Sequence, residues 1–298
     1  MAQKYYLYFN ITYQCNSHCI FCASDFTQNS NAPRITFKQF ADILNKFPEG
    51  RNTFVAINGG EPALHPELIE FLKLLKRRKH LSYFFTNGRK FSSLTFAQRV
   101  FNDFEGTILV PFYTTKPETH DFFTRVKGSF KETMKGVENI YTLKTKSSGI
   151  FLQFKLLFAK PFLKENCEVA NYVIDNFPET DILSLHSFIV SEKALQQKNL
   201  IPSKKELFRS VNNVLNIIKE AANRFDLNKV NISDLPICLL NDENKKLFLQ
   251  KTNRSSGRYK SLYFDPFCLS EEESGSRSGD SLCATCERCR LKDKCRFL

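Results

Sequence analysis

The sequence predicts an α/β fold: a parallel sheet covered by helices, followed by a C-terminal segment of another kind. Three observations carry that reading. Short β-type runs alternate with amphipathic helical windows from Tyr5 to Ser233. Six such βα units in series imply parallel strands, short of the eight that close a barrel. After Asp234 the helical periodicity fades, and six of the ten cysteines fall in this last part.

The elements follow in order. Tyr5–Thr12 alternates and is rich in aromatics, as a strand does. Thr36 can cap a helix carrying Phe37, Phe40, Ile43, Leu44 and Phe47 on one face. Phe54–Asn58 is a short apolar strand that ends in Gly59-Gly60. Pro66 suits a first helical position, and Leu68, Phe71, Leu72 and Leu75 form the stripe of that helix. The basic Lys76–Lys79 run suits its C-terminal dipole. Leu81–Thr86 is a strand stopping at Asn87-Gly88, Leu94–Phe104 a helix, and Thr107–Tyr113 a strand. Ser129–Lys146 is a helix with Ser129 as its cap. Strand Phe151–Phe158, helix Cys167–Phe177 and strand Asp181–Val190 come next, then the long helix Ser203–Phe225 and a last short strand, Val230–Ser233. Asn253–Lys260 and Glu271–Asp280, rich in Ser, Gly and charge, read as loops. The expected organisation is a core over residues 1–233 and a metal-held extension over 234–298, too poor in apolar residues to fold alone. In a parallel sheet of this kind, ligands gather at the carboxyl ends of the strands.

The 298 residues are 42% hydrophobic and 25% charged, ordinary for a globular chain. No N-terminal secretory pattern and no apolar run of roughly 18–20 residues is present, so a cytoplasmic, non-membrane protein is expected. The net charge of +12 favours acidic partners, but the basic residues are scattered rather than gathered in one arm. Thirty Phe beside no Trp carries no functional signal.

Cysteine is the informative residue. In a reducing compartment clustered thiols are metal ligands or catalytic groups more often than disulfides. Cys15, Cys19 and Cys22 are spaced C-x3-C-x2-C directly after the first strand. Three soft thiolates suit an iron–sulfur cluster or zinc. A structural zinc site wants four ligands, and His18, lying between two of the cysteines, is poorly placed to be the fourth. On a four-iron cluster, three thiolates leave one iron without a protein ligand, free to hold a small molecule. Gly59-Gly60-Glu61-Pro62 ends the second strand: glycines permit close backbone approach, and a carboxylate pairs with an ammonium group. Thr86-Asn87-Gly88 ends the third.

This combination resembles the signature of radical S-adenosylmethionine (SAM) enzymes. The resemblance implies a partial (β/α)6, TIM-like barrel and a catalytic [4Fe–4S] cluster on Cys15, Cys19 and Cys22. SAM would chelate the open iron through its amino and carboxylate groups, and one electron would cleave it to a 5′-deoxyadenosyl radical that takes hydrogen from substrate. It implies SAM contacts from Phe21, from Gly59, Gly60, Glu61 and Pro62, and from Thr86 and Asn87. His120-Asp121 with Gly128-Ser129-Phe130 resembles a stretch of peptide-modifying members, and equally fits a loop with a helix cap. The resemblance covers the order of elements over residues 5–233, and its motifs lie within 15–88.

The tail holds Cys238, Cys268, Cys283, Cys286, Cys289 and Cys295. Cys286-x2-Cys289-x5-Cys295 resembles part of the SPASM pattern of auxiliary clusters, but the chain ends before the pattern does, so a shorter, twitch-like extension fits better. A second, auxiliary [4Fe–4S] cluster is expected on these three and Cys238, with Cys268 and Cys283 as rivals for the fourth place. Structural zinc on Cys283, Cys286, Cys289 and Cys295 is the alternative. Cys167 reads as a small buried hydrophobe.

The expected activity is hydrogen abstraction that modifies a peptide or protein side chain, driven by an external one-electron reductant such as flavodoxin or ferredoxin. Modification of RNA, a nucleoside or a small cofactor precursor is the alternative, slightly favoured by the charge. A zinc-held nucleic-acid binder is a distant third, because it leaves the two N-terminal motifs unexplained.

Overall fold

The computed structural model describes residues 3–22, 26–188, 198–233, 235, 237–246 and 259–273. Among them is one open sheet of nine strands: β1 (Lys4–Asn10), β2 (Thr53–Asn58), β3 (Leu81–Phe85), β4 (Gly106–Pro111), β5 (Ile150–Phe158), β6 (Ile182–Ser187), β7 (Val230–Ser233), β8 (Tyr259–Asp265) and β9 (Cys268–Glu273). Their spatial order is β7-β6-β5-β4-β3-β2-β1-β8-β9. All neighbours from β7 to β8 pair in parallel, and β9 returns antiparallel to β8. The predicted run of parallel βα units is therefore present, open at both edges. Among the described residues the helices of eight or more residues are α1 (Phe37–Leu44), α2 (Leu68–Arg77), α3 (Leu94–Asp103), α4 (Pro117–Thr124), α5 (Ser129–Lys144), α6 (Asn166–Asn176) and α7 (Lys204–Glu220).

Alternation along the strands sorts the core from the inner face. Leu7 and Phe9 of β1, Val55 and Ile57 of β2, and Phe84 of β3 are fully buried on the helix-facing side. Phe9 meets Phe40 of α1 edge-on at 4.6 Å, and Phe40 stacks on Phe71 of α2 at 4.6 Å. The intervening residues Tyr6, Phe54 and Tyr83 face the other way and form an aromatic row across three strands, with centroids 4.4 and 4.9 Å apart. Thr36 and Ser203 close their helices with full capping boxes, using Gln39 and Glu206.

Several expectations need correction. Residues 259–260 and 271–273 are strand, not loop. Leu262 and Phe264 of β8 are fully buried, and Phe264 stacks on Phe9 at 4.9 Å. Strand β8, from beyond residue 233, pairs in parallel with β1 and extends the sheet. Helix α2 starts after Glu67, so Pro66 lies just outside it. Ser129 is the first residue of α5 rather than its cap. Asp121 caps this helix, accepting from the Gly128 and Phe130 N–H groups at 2.5 and 2.8 Å and from the Ser129 hydroxyl at 2.9 Å. Helix α4 (Pro117–Thr124), which was not expected, takes up the first part of the His120–Phe130 stretch, and the Asp121 side chain rather than Ser129 supplies the cap.

Candidate functional site

The first cysteine loop is held from both sides. Its N-terminal arm is an extension of β1. The Gly60 N–H donates to the Thr12 carbonyl and the Glu61 N–H to the Gln14 carbonyl, both at 2.8 Å. The Cys15 N–H donates to Thr27 at 2.7 Å. Further on, the His18 and Ile20 N–H groups reach the Thr124 and Phe123 carbonyls at the end of α4, at 3.0 and 2.9 Å. Phe21 anchors the loop in an aromatic nest, edge-on to Tyr113 at 4.6 Å and to Phe162 at 5.5 Å. From below, Asn87 donates to the Asn16 side chain at 2.7 Å, and Arg89 reaches the Asn16 carbonyl and the Ser17 hydroxyl while paired with Glu132.

The two glycines are explained differently from the sequence expectation. A Cβ on Gly60 would stand 2.2 Å from the Gln14 carbonyl oxygen, and one on Gly59 2.6 Å from that of Thr12. They are glycines because the cysteine-bearing arm lies across them, not only because a ligand could. Gly59 also sits at φ 141°, a region that glycine tolerates.

Glu61 joins the ends of β2 and β3. It is 1% exposed, and its carboxylate accepts from the Ala63 N–H at 3.0 Å, the Thr86 hydroxyl at 2.7 Å and the Asn87 N–H at 2.7 Å. Burial pushes its pKa up to about 6, against the lowering effect of these donors. Of the roughly four lone-pair directions of a carboxylate, these bonds leave about one for an ammonium group.

Around these groups lies a cavity of about 430 Å³ at the carboxyl ends of the strands. Cys15, Cys19, Cys22, Phe21, Gly59, Gly60, Glu61, Pro62, Thr86 and Asn87 all line it. The structure therefore brings the sequence-selected N-terminal site residues together. Burial pushes both the Cys15 and Cys19 thiols up to about 12, Glu61 being the next cause for Cys15 and the Cys22 thiol for Cys19. A bound metal reverses this preference, because its ligands are thiolates. Among the described residues no three His, Cys, Asp or Glu side chains converge on one ion. A four-iron cluster does not need that, since each thiolate takes its own iron. The three thiols on one cavity wall, with open space before them, fit such a cluster.

Other parts of the selected set lie elsewhere. Cys238 is exposed on a short 3-10 turn after β7 and does not line the cavity. Cys268 opens β9. Cys283, Cys286, Cys289 and Cys295 lie outside the described residues. Cavity residues that the sequence reading missed include Asn10, Asn58, Tyr113, Arg125 and Lys155. Asn10, Asn58, Tyr113 and Lys155 are brought there by the sheet register, and Arg125 by its place as the left-handed C-cap of α4 at φ 56°.

An open, largely parallel sheet with three thiols lining its strand-end cavity has soft donors suited to a metal cluster beside space for a small molecule. Residues 9–154 match the family model of the Radical SAM superfamily, so this part of the chain is a radical SAM domain. That family implies a [4Fe–4S] cluster and SAM. A curated relative, GTP 3′,8-cyclase of Haemophilus influenzae, is 35% identical over 69 residues, 22% of this chain and 20% of the relative. The chain thus spans about a fifth of the curated relatives it matches. Among solved structures, native anSMEcpe with bound AdoMet aligns with a TM-score of 0.67 at 13% identity, over 98% of this chain and 89% of that one. Streptococcus suis SuiB bound to precursor peptide SuiA aligns at 0.62 and 14% identity, over 89% of this chain and 58% of that one. These structural likenesses concern the fold. Among the described residues no helix is long and apolar enough to cross a membrane.

Proposed function

We propose that Cys15, Cys19 and Cys22 carry a [4Fe–4S] cluster, that SAM lies along Gly59–Pro62, Thr86, Asn87 and Phe21, and that the substrate is a peptide or protein side chain. The observation that carries the reading is the gathering of all these residues on one cavity. When bound, the reduced cluster and SAM supply a 5′-deoxyadenosyl radical that takes a hydrogen atom from substrate. The chain's own part is positional. Arg89, Asn87 and the end of α4 hold the cysteine loop. Glu61 keeps the β2 and β3 ends at fixed separation and has a lone pair left for the SAM ammonium. The wall of Phe21, Tyr113, Phe162 and Phe123 lines the loop with apolar surface and limits water there.

The peptide assignment rests on the fold shared with SuiB, which was solved with a precursor peptide. An auxiliary [4Fe–4S] cluster on Cys238, Cys286, Cys289 and Cys295 belongs to the same proposal, as an electron acceptor or substrate anchor. A flavodoxin- or ferredoxin-type reductant would supply the electron. A second reading, a nucleoside or small-molecule substrate, is favoured by the local match to the GTP cyclase. Anaerobic protein given dithionite and SAM should form 5′-deoxyadenosine, and Cys19→Ala should form none. Cleavage retained in Cys19→Ala would defeat the site assignment.

A further inference from the structure

Asn10 closes β1, lines the cavity, and is 3% exposed. Its carboxamide oxygen Oδ1 is buried and has no hydrogen-bond partner among the described residues. Buried polar groups in folded proteins are nearly always paired, and one left unpaired costs stability. Asn10 stands in register with Asn58, which lines the same cavity, and its Oδ1 is 2.7 Å from where a Gly59 Cβ would be. Only a glycine at 59 leaves room for it. The cost is explained if a ligand brings the missing donor.

The surroundings select the kind of donor. The same cavity is lined by the buried Glu61 carboxylate, which keeps a lone-pair direction free of its three protein donors. An unpaired amide oxygen and a carboxylate on one cavity favour a cationic donor over a neutral one. Building on the reading that SAM occupies this cavity, we propose that Asn10 is a cofactor-binding residue whose carboxamide oxygen accepts a hydrogen bond from the SAM α-ammonium group. The terminal torsion of an Asn side chain is broad, so the amide can turn its oxygen from Gly59 to the ligand with little cost.

The test is equilibrium binding to anaerobically reconstituted, full-length protein, with SAM and 5′-methylthioadenosine as probes. The second probe keeps the adenosine and lacks the amino-acid group. Asn10→Leu, of similar size, should bind SAM about tenfold or more weakly, the loss expected for one charge-assisted hydrogen bond. It should bind methylthioadenosine as wild type does and melt no lower than wild type, because an unpaired acceptor has been removed. Asn10→Asp, which keeps an acceptor, should retain SAM, and it decides the matter if the Leu variant folds poorly. Unchanged SAM binding in Asn10→Leu, an equal loss for both probes, or loss of SAM in Asn10→Asp would overturn the proposal. If wild-type protein itself does not bind SAM, the function proposed above fails first.

Discussion

Replacing Gly60 by alanine tests how the cysteine loop is seated. The new Cβ would meet the Gln14 carbonyl oxygen at 2.2 Å and its carbon at 2.6 Å, both backbone atoms that no side-chain rotation can move aside. The arm carrying Cys15 must lift, which endangers the Gly60 N–H bond to Thr12 and the Glu61 N–H bond to Gln14. Overpacking of this kind costs about 1–3 kcal/mol. Losing two backbone hydrogen bonds adds about 1 kcal/mol each. The sum, about 3–5 kcal/mol, corresponds to a Tm lower by about 5–8 °C for a chain of 298 residues. Gly50→Ala is the control, with nothing within 4 Å of its Cβ and only the penalty of φ 76°. It should cost about 1 kcal/mol. Melting followed by circular dichroism, with iron counted after anaerobic reconstitution, gives both readouts. Gly60→Ala should melt far lower and bind less iron, and Gly50→Ala should keep its iron. A Gly60→Ala variant that melts within about 2 °C of wild type with full iron would refute the seating argument.

Other outcomes follow from the same structure. His65 is 4% exposed, donates from Nε2 to the Ile35 carbonyl at 2.9 Å and accepts at Nδ1 from the Glu67 N–H at 3.1 Å; burial lowers its pKa to about 4, against the raising effect of the bond to Ile35. The unfolded chain binds that proton near pH 6.5, so stability is full above 6.5 and falls as pH drops toward 4, by about 2 kcal/mol at pH 5. His65→Gln should show a shallower fall in Tm between pH 7 and 5, and a slope equal to wild type would contradict this. Asp121→Ala removes the cap of α5 and should cost about 1–2 kcal/mol, with Asp121→Asn losing less; equal losses in thermal melts would argue against capping. Arg89→Ala frees the Asn16–Ser17 segment, and its cluster should be lost faster on exposure to air, measured as the decay of absorption near 400 nm. Cys289→Ala should lower the iron content yet spare slow, substrate-free SAM cleavage; unchanged iron would remove the auxiliary cluster.

Much of this was legible in the chain because local chemistry dictated it. Thr36 and Ser203 announce their helices by capping boxes, and the apolar stripes of α1, α2 and α7 are the faces that are buried. C-x3-C-x2-C and Gly59–Pro62 were readable as a site because each follows a strand. What stayed hidden depends on distant partners. Strand β8 buries Leu262 and Phe264 and follows the polar, serine-rich 253–258 stretch, and its partner β1 lies at the other end of the chain. Nothing local distinguishes Asn10 or Lys155 from any strand residue; the register of the sheet brings them to the cavity. The glycines at 59 and 60 were found for an incomplete reason, since the chain that lies on them could not be known from sequence.

The most direct measurement is the metal content of anaerobically purified protein, taken together with 5′-deoxyadenosine formed from SAM and dithionite. The account predicts about eight iron atoms per chain, as two four-iron clusters, and nucleoside formation that Cys19→Ala abolishes. Iron near four with one zinc would keep the catalytic cluster and make the tail a structural knot. Zinc without iron, or no 5′-deoxyadenosine from iron-replete protein, would contradict the central claim.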